Sequence, residues 1–188
     1  MASPPQRHTD LLTAVIMEDP PLFRPDPGQA PSLEGNALLD GFRLMRTSMP
    51  QLQASGMSLE MLTTVLSNAP DTTRTGTFGQ MLHRDGIETM AAGLLRVDAS
   101  VLDPVLDGSL VFTVDPDQPF GVPALLVPAD PTKPDAVASP KATAWFAANS
   151  PGTEVVVATG AGHLIHDEVH SRDTFRDTVL SFLSRIAP

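Results

Sequence analysis

The chain has 188 residues, 41% of them hydrophobic, with a mean hydropathy of +0.01, so it can bury the core of one ordinary domain and is not globally disordered. A formal net charge of −10, with 12 scattered Lys and Arg, repels phosphate backbones and excludes nucleic acid as an expected partner. Zero cysteines exclude disulfides and thiolate metal sites, no apolar run approaches 18 residues, and "MASPPQRHTD" lacks the apolar core of a signal peptide, so a soluble cytoplasmic protein without a membrane partner is expected.

The first element is "DLLTAVIMEDPP". Its apolar run from Leu11 to Met17 suits a strand buried on both faces, and Pro20 and Pro21 stop it. Residues 24–32, rich in Pro and Gly, read as a loop. Residues 33 to about 106 read as helical. Leu38, Phe42, Met45 and Met49 recur at helical spacing. Ser58 is a plausible N-cap ahead of Leu59, Leu62 and Leu66. Phe78, Met81, Leu82, Met90, Leu94 and Leu95 continue the block, and Gly108 is placed to stop its last short helix.

"VPALLVPAD" is a second buried strand, ending at Asp130. Ser139 caps the next helix, with Pro140 at its first position. A third strand at residues 154–159 runs into the turn "TGAGH". The last helix places Phe175, Val179, Phe182, Leu183 and Ile186 on one face. The order strand, helical block, strand, helix, strand, helix implies parallel strands and an α/β class.

His163 follows the Gly-Ala-Gly turn, with His166 and His170 close behind. An imidazole has an unperturbed pKa near 6.5, which suits it to take and return a proton at neutral pH. The bland alternative is a loop histidine satisfied by a backbone carbonyl. The three histidines lie three and four positions apart, which on one helix would suit zinc. Gly160 and Gly162 place His163 in a turn instead, so no metal site is expected. The methionines at 45, 49, 57, 61, 81 and 90 suit either helical core or a pliable apolar pocket roof. His83 and Arg84 read as a solvated face, with substrate contact as the sharper alternative.

In this order, and in "LLTAVIMEDPPLF", "VPALLVPADP", "EVVVATGAGHLIHDE" and "SRDTFRDTVLSFL", the chain resembles the C-terminal half of an α/β-hydrolase. The resemblance covers nearly the whole chain. It implies a partial hydrolase sheet of three parallel strands with an inserted helical cap: core at 1–23 and 109–188, cap at 24–108. It makes His163 the general base, oriented by an acid after one of two strands. Asp130 ends the second strand, although the family's usual position falls near Thr132. Asp19 leaves the first strand and fits the alternative position. Both stay open, with Glu18 and Asp135 behind them. The implied activity is hydrolysis of a small, largely apolar ester-type substrate without a diffusible cofactor.

Such chemistry also needs a nucleophile on a Gly-x-(Ser/Asp/Cys)-x-Gly elbow. The 188 residues contain no such sequence. The chain therefore reads as half an enzyme, inactive alone, of the kind a truncated gene with an internal methionine start would yield. An elbow Ser would imply an esterase, an elbow Asp a dehalogenase or epoxide hydrolase. The competing expectation is a non-enzymatic binding or assembly module. The strand from Leu11 to Met17 would then pair, through its exposed edge, with a second copy or a separate N-terminal half.

Overall fold

The computed structural model describes residues 11–20, 37–71, 75–107 and 119–186. Pro21, the loop expected at 24–32, the start of the helical block at 33–36 and the stop at Gly108 lie outside them. The chain divides into two compact units. One draws on Met1–Pro31, Val111–His166 and Ser171–Pro188, the other on Ser32–Leu110 and Asp167–His170. The second unit thus adds residues 167–170 to the insertion expected at 24–108, and nothing in the sequence marks them for it.

The first unit is built on three parallel strands, β1 (Val15–Glu18), β2 (Ala124–Val127) and β3 (Thr153–Val155), in the order β1-β2-β3. Val15 lies opposite Ala124 and Glu18 opposite Val127; Ala124 lies opposite Thr153. β2 is the middle strand and is buried along its length, which is why its sequence is continuously apolar rather than alternating. Its side chains divide between the two faces. Leu125 and Val127 join Ala129, Ala161, Ile165 and Phe182 in one cluster, while Ala124 and Leu126 join Phe120 and Phe146 in the other.

Two helices carry two of those aromatic residues. Helix α6 (Pro140–Asn149) brings Phe146, and α7 (Arg172–Ile186) brings Phe182. Ser139 caps α6 by accepting a hydrogen bond from the Ala142 N–H, with Pro140 opening the helix as expected. At the head of α7 the Ser171 hydroxyl donates to the Ile165 carbonyl, tying the helix to the chain that precedes it.

The second unit holds α1 (Ala37–Ala54), α2 (Leu59–Asn68), α3 (Phe78–Met81), α4 (Arg84–Leu94), a 3-10 turn at Ala99–Leu102 and α5 (Asp103–Leu106). Met49 is buried with Ala99 and Leu102, and Phe42 and Met45 pack against them, so these α1 methionines are core. Leu62 and Ile87 are buried on α2 and α4, which pack together. Met61, Leu59 and Val65 instead lie exposed on α2. Residues 167–170 pair with the turn between α3 and α4. The His83 N–H donates to the Asp167 carbonyl at 2.8 Å, and the Val169 N–H to the Met81 carbonyl at 2.9 Å. No helix among the described residues is long and apolar enough to cross a membrane.

Candidate active site

β1 ends by hydrogen-bonding past its last residue: the Asp19 N–H donates to the Val127 carbonyl at 2.8 Å. Asp19 then takes φ +33°, a left-handed conformation that aspartate tolerates better than most residues. This turns its side chain inward, where it is 0% exposed. Oδ1 accepts from the N–H groups of Ala129 at 3.1 Å and Ala138 at 3.0 Å, and Oδ2 accepts from Val137 N–H at 2.9 Å. The remaining partner of Oδ2 is the His163 ring, with Nδ1 at 2.9 Å.

Burial raises the pKa of the Asp19 carboxyl, but the His163 ring and the amides of Ala138, Val137 and Ala129 more than offset it. The group titrates below its ordinary value. An ionised carboxylate only accepts hydrogen bonds, so the proton of the pair sits on Nδ1 of His163. The lone pair is then on Nε2. The ring is held at Nδ1, and the side chain is 26% exposed.

The histidine's backbone is held as firmly. Gly160 takes φ +82°, which a side chain would oppose, and starts the turn. Ala161 and Ile165, on either side of His163, are fully buried in the α7-side cluster. The His163 N–H donates to Oδ2 of Asp135 at 3.1 Å.

Asp130 has a different set of partners. Its Oδ1 accepts from the Thr132 hydroxyl at 2.7 Å and the Thr132 N–H at 2.9 Å, and its Oδ2 accepts from the Gly160 N–H at 2.7 Å. Geometry thus separates the two acids that the sequence left open: the imidazole rests on Asp19, and Asp130 braces the glycine turn. The Thr132 hydroxyl, then the Thr132 and Gly160 amides, lower the Asp130 pKa to about 2. A folded-state pKa below the ordinary 3.8 means that this stabilisation is complete above that value and is lost as pH falls toward about 2. Asp130→Asn is expected to flatten the fall of stability between about pH 4 and pH 2, as read from urea melts across that range. An unchanged acid limb would show that the three bonds do not form.

Glu18, one of the minor acid candidates, holds the next histidine. Its carboxylate lies 2.8 Å from His166 Nδ1 and accepts the His166 N–H at 3.1 Å. Four carboxylates therefore grip residues 160–166 at different atoms, an arrangement that spacing in the sequence could not assign. His170 lies 3.3 Å from Glu168 in the second unit. Among the described residues, no group of three or more His, Asp or Glu side chains is arranged to hold a metal ion.

No protein-family model matches the sequence, and no curated protein does. Solved structures do. An N-formylmaleamic acid deformylase from Pseudomonas putida is 18% identical with a TM-score of 0.57, over 93% of this chain and 59% of its own. A hydrolase from Oleispira antarctica is 15% identical with a TM-score of 0.51, over 95% of this chain and 59% of its own. The fold is that of an α/β-hydrolase, in part. The chain spans about three fifths of the length of these α/β-hydrolase structures. The three parallel strands expected from the sequence are those of the α/β-hydrolase sheet. At these identities the likeness is one of fold.

Proposed function

We propose that this chain supplies the base and orienting acid of a nucleophile–histidine–acid hydrolase. His163 Nε2 takes the proton of an attacking nucleophile and returns it to the leaving group. Asp19 keeps the ring in the Nδ1–H tautomer and stabilises the imidazolium that forms between those steps. The observation that carries this reading is the 2.9 Å contact between Asp19 and His163 at the carboxyl ends of parallel strands. The substrate is a small, largely apolar ester. Its support is the likeness of the fold to α/β-hydrolases.

The nucleophile is contributed from outside these residues, because no Gly-x-(Ser/Asp/Cys)-x-Gly occurs in them. The isolated chain is then inactive. With a p-nitrophenyl ester, the chain and its His163→Ala variant should give the same background rate. Co-expression with an N-terminal α/β-hydrolase half that carries a nucleophile elbow should produce an esterase that His163→Ala slows by about 10³-fold or more. Activity of the isolated chain that depends on His163 would place a nucleophile within it and overturn the split. A reconstituted activity indifferent to His163→Ala would remove the histidine from the mechanism.

One observation favours a second reading, a binding or assembly module. Among the described residues β1 is an edge strand, paired with β2, and its other edge is available to a strand from a second copy or a separate N-terminal half. Sedimentation over a range of concentrations separates the two occupants. A chain that stays monomeric throughout does not self-associate through this edge.

A further inference from the structure

We infer that Asp135 is a positioning residue for the His163 base, acting on its backbone while Asp19 acts on its ring. The inference rests on the acid–base reading given above. Asp135 is 8% exposed, and its Oδ2 accepts the His163 N–H at 3.1 Å. It belongs to the loop after β2, and that loop touches the histidine turn at three successive points. The Gly160 N–H donates to the Asp130 carboxylate, the Asp130 N–H donates to the Ala161 carbonyl at 2.9 Å, and the His163 N–H donates to Asp135. The same loop supplies the Val137 and Ala138 amides that hold Asp19. One short stretch of chain, residues 130–138, thereby fixes the histidine backbone and the carboxylate that the ring must meet.

The geometry of such a pair is sensitive to small displacement. A ring that swings on its Cα loses the Nδ1 contact long before the fold is disturbed. Asp135 removes that freedom by tying the amide of the very residue that carries the ring. A backbone amide needs an acceptor and no negative charge, so Asn at this position keeps the function and Ala does not.

The test reads the ring directly. In the chain labelled with ¹⁵N-histidine, His163→Gln identifies the His163 signals by their loss. Wild type and Asp135→Asn should both show the Nδ1–H tautomer. Asp135→Ala, folded by circular dichroism, should show tautomer mixing and at least a tenfold faster exchange of the His163 amide. A folded Asp135→Ala with the wild-type tautomer and amide protection would overturn the inference. If Asp135→Ala does not fold, Asp135→Ser takes its place, since its hydroxyl is too short to reach the amide, with the same two outcomes. If neither folds, exchange in the wild-type chain decides: an unprotected His163 amide overturns the inference and a protected one supports it. Asp19→Asn in the same spectra tests the underlying reading separately. A His163 tautomer indifferent to Asp19→Asn defeats the acid–base pair, whatever Asp135 does.

Discussion

Asp19→Ala is expected to cost on the order of 3–5 kcal/mol of folding stability, because three N–H groups lose their acceptor in a site closed to water. Those donors belong to Ala129, Val137 and Ala138, all buried. Alanine also sits less easily than aspartate at φ +33°. The folded-state pKa of Asp19 is lowered, so its contribution is fully present above the ordinary carboxylate value and fades as pH falls below it. Urea melts at neutral pH measure the loss. A cost under about 1 kcal/mol would mean that the cradle reorganises or takes in water. Asp19→Asn tolerates the left-handed backbone and keeps one acceptor oxygen. Its amide nitrogen, however, meets the Val137 N–H or the His163 ring as donor against donor. The ring escapes by moving its proton to Nε2, which removes the lone pair that the proposed base would use. The same exchange in serine proteases lowers kcat by about 10⁴ with the geometry intact. On the proposed acid–base reading, a reconstituted hydrolase is therefore expected to lose far more activity than stability with Asn at this position.

Phe182→Ala is expected to destabilise the chain by about 3–5 kcal/mol, the range for removing a large buried aromatic side chain. Phe182 is 1% exposed at the centre of a cluster with Leu125, Val127, Ala129, Ala161 and Ile165, and Phe175, Val179 and Ile186 pack around it. Two members of this cluster, Ala161 and Ile165, bracket His163 in the chain. The cavity would thus loosen the segment that carries His163 as well as the fold. Denaturant melts compared with Phe182→Leu, which leaves a smaller void, check the volume dependence. Equal costs for both variants would mean that the site collapses without penalty.

Much of this was legible in the sequence, and the reasons differ by element. β2 announced itself because a strand covered on both faces has no polar positions to break its apolar run. The last helix was legible from its spacing, although Leu183 turned out half exposed beside the buried Phe182. The first strand starts later than its apolar run. Leu11 is 73% exposed and the ladder begins only at Val15. An apolar run does not say where pairing starts. The third strand, expected at residues 154–159, is shorter and begins one residue earlier, at Thr153. β3 stops at Val155, and Val155, Val156 and Val157 lie on an edge, partly exposed. His163 was visible from its glycine turn. Its orienting carboxylate was not, since Asp19 and Asp130 both follow apolar strands. The deciding facts are a positive φ at Asp19 and the return of the 137–138 amides, neither of which spacing encodes. Asp135 and Glu18 were named only as minor acid candidates, and no sequence signal assigned them the loop atoms they hold.

The partners in the Asp19–His163 contact stand 144 positions apart, with the whole helical unit between them. At about 5–20 residues per second, a ribosome needs roughly 7–30 s to pass from one to the other. For about three quarters of that interval β1 is made while β2, the strand it pairs with, is still unsynthesised, since Ala124 follows Asp19 by 105 positions. The nascent chain thus carries an adhesive ribbon for many seconds, and a holdase that covers this ribbon during synthesis would raise the yield of folded protein more than one that acts on the completed chain.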